Sequence, residues 1–128
     1  MKPLTFEWIE KAEDDWDAAL KLYRARQRPH YGLVCFLAQQ CAEKYLKAWL
    51  EELGLPIPLT HNLILLLTQI KEIEPEWSVL QPELTALNAY SVATRYPGQT
   101  ASKLNAQHAI RDGKVVRLAM REAFELET

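Results

Sequence analysis

Glycine is scarce in this chain of 128 residues, which has four. So few leave little room for the loops that cradle phosphates, and neither G-x-G-x-x-G nor G-x-x-x-x-G-K-[ST] occurs. Cysteine is scarcer still, with only Cys35 and Cys41. They fall six apart on one predicted helix, where helix rise sets their Cα atoms roughly 9 Å apart, too far for a disulfide. They read as buried free thiols suited to a reducing compartment. The histidines His30, His61 and His108 lie in separate segments, outside any H-E-x-x-H or E-x-x-H pattern, and there is no C-x-x-C. The spacing that metal sites need is missing, so neither a metal nor a cofactor is expected. Charge of one sign is also lacking: the formal net charge is −2. That opposes strong non-specific nucleic-acid binding, which needs a basic surface, but leaves a local basic patch open. The apolar run Leu63 to Leu67 is far too short to span a bilayer, and Met1 to Glu10 has no signal-peptide core. A cytoplasmic protein without membrane contact is expected.

What is present is helical spacing. The apolar fraction of 48% and charged fraction of 25% are ordinary for a globular protein. The length fits one domain, residues 1–128, able to bury about two-thirds of its unfolded surface without staples. The pattern predicts an all-α fold of five helices and no strand. The first spans Thr5 to Arg26, with Thr5 as N-cap and a stripe of Phe6, Ile9, Trp16, Leu20 and Tyr23. Arg24, Arg26 and Arg28 crowd its end, either complementing the helix dipole or forming a phosphate-contacting patch. The second spans Tyr31 to Leu53 and is closed by Gly54, with Pro56 and Pro58 beyond. Its run Leu33 to Ala38 is apolar nearly all round, which suits a central helix or a subunit interface. The third covers Leu63 to Ile73. The fourth covers Val79 to Thr94, with Pro82 in its first turn. After the loop Arg95-Tyr96-Pro97-Gly98, the fifth covers Thr100 to Leu126 with a stripe of Leu104, His108, Val115, Ala119 and Ala123. Gly113 inside it costs ~1 kcal/mol relative to Ala, which close packing against another helix would explain. Short connections make sequence neighbours antiparallel, giving an up-and-down bundle.

Four polar features are candidates for function. His61, in Thr60-His61-Asn62, either caps the third helix or presents its imidazole to a groove. Lys44 and Lys47 either are solvated or line a phosphate-binding cleft, and Glu43 can pair with Lys47 at i, i+4 for ~0.3 kcal/mol. Arg95, just past a helix end, either caps carbonyls or contacts an anionic ligand. Tyr96 beside it is a candidate stacking platform. No local pattern supports a Cys–His nucleophile.

The order of residues adds more than their spacing. The string C-F-x-A-Q-Q-x-A-E-K-x-L-K-A, from Cys35 to Ala48, resembles the signature of HEPN domains. Ala12-Glu13-Asp14-Asp15-Trp16 looks like that family's opening helix. Gly54 followed by Pro58-Leu59-Thr60-His61-Asn62-Leu63 looks like its connection into the third helix. Leu87-Asn88-Ala89-Tyr90 followed by Arg95-Tyr96-Pro97 resembles the branch paired with minimal nucleotidyltransferases. The resemblance implies a four- or five-helix bundle and a homodimer with a cleft at its interface. Many members are metal-independent ribonucleases, often toxins in two-gene toxin–antitoxin modules. Their motif is an Arg, usually followed by a polar residue, then a His after four to six intervening positions. This chain departs from it. Arg95 precedes Tyr96 and Pro97, and the next histidine is His108. Arg24 and His30 have a matching count but sit at a helix junction broken by Pro29. Three readings follow. The first is a dimeric nucleotide-binding or partner subunit of a minimal nucleotidyltransferase. The second is a divergent ribonuclease pairing Arg95 with His61 or His108 on an RNA ligand. The third is a non-catalytic dimeric interaction module.

Overall fold

The computed structural model describes residues 1–91 and 97–128. Arg95, Tyr96 and the expected last turn of the fourth helix lie outside the described residues. Five α-helices and no strand occur among the residues described, arranged as a bundle: α1 (Pro3–Tyr23), α2 (Tyr31–Leu53), α3 (Leu63–Ile73), α4 (Gln81–Asn88) and α5 (Lys103–Ala123). A short 3-10 helix, Pro75–Leu80, links α3 to α4.

The ends follow local chemistry. Helix α1 starts at Pro3, a residue with no N–H to leave unsatisfied. The expected N-cap, Thr5, therefore lies within the first turn of the helix and is fully buried. Its hydroxyl donates instead to Glu52 Oε1 at 3.0 Å. The helix closes at Tyr23, short of the expected Arg26. Gly54 ends α2 at φ 73°, and the amide of Leu55 returns to the carbonyl of Leu50 at 2.9 Å. The expected fourth helix begins later, because Pro82 occupies the first turn of α4 and the preceding turn is 3-10. Ser102 and Asn105 close a reciprocal capping box at the start of α5.

Helix α2 is the centre, packed against α1, α3, α4 and α5. Val34, Cys35, Ala38, Ala42, Leu46 and Leu50 are buried on it, so half of the apolar run from Leu33 to Ala38 serves the core of one chain. The stripe expected on α5 is corrected by the structure. Leu104 and Val115 are exposed, and the buried face is Ala106, Ala109, Gly113, Val116 and Met120. Small residues let α5 lie close: a Cβ on Gly113 would sit 2.8 Å from the Trp16 ring. Phe6, expected in the α1 stripe, is half exposed.

Candidate functional site

A spacing of four places Gln39, Glu43 and Lys47 on one face of α2, toward the segment that enters α3. All three are buried. Burying a carboxylate and an ammonium together is tolerated only where each finds a partner, and here each does. Lys47 Nζ donates to Glu43 Oε2 at 3.1 Å. Glu43 Oε1 lies 2.9 Å from His61 Nδ1. An ionised carboxylate can only accept, so Nδ1 carries the proton in this contact. Gln40 donates to both Gln39 Oε1 and Glu43 Oε1, at 2.8 and 3.2 Å. Gln39 Nε2 donates to the backbone carbonyl of His61 at 2.9 Å. His61 is thus held by its main chain and by its ring, while 65% of its side chain faces solvent.

The start of α3 is fixed from the other side. Asn62, rather than His61, caps the helix, its Oδ1 accepting from Ile64 N at 2.9 Å and Leu65 N at 3.3 Å. Asn88, at the end of α4, accepts from Leu63 N at 2.8 Å and donates to Asn62 Oδ1 at 3.2 Å. The capping alternative for His61 therefore gives way to the exposed imidazole. Chemically, the arrangement is a largely exposed histidine oriented through Nδ1 by a buried carboxylate.

The other sequence candidates distribute differently. Lys47 joins the cluster and also lies 5.7 Å from the Trp8 ring centroid. Lys44 points toward α1 and pairs with Asp15 at 2.5 Å. His108 is half-buried on α5, and no hydrogen bond or ion pair among the described residues joins it to His61. Arg95 and Tyr96 lie outside the described residues. No group of three or more His, Cys, Asp or Glu is arranged to hold a metal among the described residues.

A second ionic cluster was not legible in the sequence. Glu13 of α1 accepts from Arg117 of α5 at 2.7 and 2.8 Å and from the Tyr45 hydroxyl at 2.5 Å. Arg121 donates to that same hydroxyl at 3.1 Å. Burial pulls the Glu13 carboxyl upward, but the hydrogen bonds from Arg117 and Tyr45 and the charges of Arg117 and Arg121 prevail, leaving it below its ordinary value. Burial, seconded by Glu13, pushes the Tyr45 phenol up. The only available signal was the i, i+4 pair Arg117 and Arg121 on α5. Burial also pushes the Cys35 thiol up to about 11 and Cys41 well above its usual range, as expected of packed thiols.

Comparison with known proteins relates the sequence to one family and the fold to two solved structures. The family model described as HEPN domain matches residues 5–123. A crystal structure of a protein from Thermus thermophilus superposes with a TM-score of 0.76 at 23% identity, covering 92% of this chain and 96% of that one. A crystal structure described as an archaeal HEPN homologue gives a TM-score of 0.75 at 26% identity, covering 96% and 98%. No curated protein matches the chain. No helix among the described residues is long and apolar enough to cross a membrane.

Proposed function

This chain belongs to the HEPN domain family, and from that premise we propose that it is a non-catalytic binding subunit of a minimal nucleotidyltransferase in a two-gene, toxin–antitoxin-like module. In this reading it is a cytoplasmic homodimer with a nucleotide-accepting surface to which His61, Arg95 and Tyr96 contribute. The observation that supports it most is the outward imidazole of His61. Glu43 engages Nδ1 and 65% of the side chain is exposed, which leaves Nε2 as the ring nitrogen to meet a phosphate or a base. Lys44 and Lys47 are each committed to a carboxylate, so they shape the field of the surface rather than grip the ligand. The half-buried Leu33 and Leu37 beside buried Val34 and Ala38 offer α2 as part of a dimer face.

A second reading has its own support. A carboxylate–histidine pair is how hydrolytic sites orient a general base. With Arg95 neutralising phosphate charge, Glu43 and His61 would serve a divergent metal-independent ribonuclease, with His108 as the alternative histidine.

One experiment separates the two. ATP and a short RNA are titrated separately into the purified protein without divalent metal, beside His61→Ala and Arg95→Ala, after sizing by chromatography. ATP binding that weakens about tenfold in either variant, with RNA intact, supports the binding subunit; such a loss is about 1.4 kcal/mol. Metal-free cleavage lost in His61→Ala supports the ribonuclease. Neither binding nor cleavage overturns both and leaves an interaction module.

A further inference from the structure

We infer that the groove between the N-terminal half of α1 and the turn after α5 is a docking site for a basic amphipathic helix of a partner protein. The inference is independent of the reading above, because it uses neither His61 nor a nucleotide. The groove encloses about 460 Å³, with Phe6, Ile9 and Leu126 as its apolar surface. Phe6 is 50% exposed, a large aromatic left in water beside the hollow. Under the groove lies the cluster of Glu13, Arg117, Arg121 and Tyr45, whose charges are satisfied within the chain. The floor is thus set before anything binds, which lowers the ordering cost of association.

The rim decides the chemistry of the occupant. Glu10 and Asp14 line one wall. Both are exposed, and neither has a hydrogen-bond or ion-pair partner among the described residues. They stand four apart on the helix, where like charges repel by a few tenths of a kcal/mol, so the pair is not there to stabilise α1. The other wall is Leu126, flanked along the chain by exposed Glu125 and Glu127. Glu125 has φ 59°, a left-handed conformation that ordinarily favours glycine. The amide of Leu126 returns to the Arg121 carbonyl at 2.8 Å, which turns the chain after α5 and sets Leu126 against the groove. A groove with an apolar strip and one wall of unpaired carboxylates repels nucleic acid and anionic membranes. It complements a helix whose Leu or Ile stripe is flanked by Lys or Arg.

The test uses the purified full chain and a fluorescein-labelled synthetic helix of Leu and Lys, about fifteen residues long, with a Leu–Glu helix of equal length beside it. Anisotropy should report salt-sensitive binding of the Leu–Lys helix only. Glu10→Lys combined with Asp14→Lys should weaken it about tenfold or more, and Phe6→Ser severalfold. Glu72→Lys combined with Glu76→Lys makes the same charge change on another face and should leave the affinity within about twofold. Circular dichroism confirms that each exposed-site variant is folded. The inference is overturned by no binding up to ~1 mM, by equal loss in both charge-reversed pairs, or by preference for the Leu–Glu helix. A homodimer that protects Phe6 from solvent overturns it as well.

Discussion

At Glu43 two roles meet in one carboxylate: one oxygen holds the Lys47 ammonium and the other holds the His61 ring. The sequence already suggested the Glu43–Lys47 pair, because i, i+4 spacing suffices to name it. What spacing does not carry is burial. A surface pair of this kind contributes a few tenths of a kcal/mol, but this one is almost wholly out of water. Replacing Glu43 by Gln keeps the shape and leaves Lys47 without a counter-charge. The expected outcome in urea denaturation is a loss of about 3 kcal/mol. Glu43→Leu combined with Lys47→Met should recover much of it, since an apolar pair of similar volume needs no compensation. The double variant separates stability from function, because it frees the His61 ring while keeping the fold. The role of His61 was half legible: its place before α3 marked it as an end-of-helix residue, but the neighbouring Asn62 makes the better cap.

Among the elements, α2 and α3 were read with the bounds the structure shows, because Gly54, Pro56 and Pro58 follow the one and Pro75 follows the other. Helix α5 was located but misoriented. Its large apolar residues Leu104 and Val115 drew the stripe, while the face that packs is built of Ala106, Ala109 and Gly113. Helix packing at close range selects for small side chains, and a periodicity weighted by hydrophobicity undervalues them. The glycine was the clue, since its cost in helix propensity asked for a reason. Gly113→Ala tests that reason. The new methyl gains ~1 kcal/mol of propensity but meets Trp16 at 2.8 Å. Overpacking of this kind costs about 1–3 kcal/mol, so a net loss is expected. It should appear as a melting temperature lower by about 3–5 °C. A rise would mean that the Trp16 ring moves freely, and that α5 is not held by this contact.

For the molecule as a whole, Glu13 is the tie among α1, α2 and α5, through residues 104 positions apart in the case of Arg117. No sequence pattern announces a pairing at that separation; the fold creates it. Because the Glu13 carboxyl is held below its ordinary value of 4.5, the folded state binds its proton less readily than the unfolded chain. The stability this gives is complete above 4.5 and is lost as pH falls through the lowered folded value. Denaturation midpoints measured from pH 7 down to 3 should fall in the acid arm, and Glu13→Gln should flatten that arm while lowering the neutral plateau. An unchanged acid arm in the variant would assign the pH response to other carboxylates. The Asn88 side chain, which bonds both Leu63 N–H and Asn62, reaches further than helix capping. It makes the terminus of α4 and the entrance of α3 a single hinge pin. Displacement of one is displacement of the other, and the His61 carbonyl, clasped by Gln39, stands one residue from that pin. Were a ligand at His61 to favour one setting of the α4 terminus, a partner gripping that terminus would, by thermodynamic reciprocity, change the affinity at His61 by the same factor.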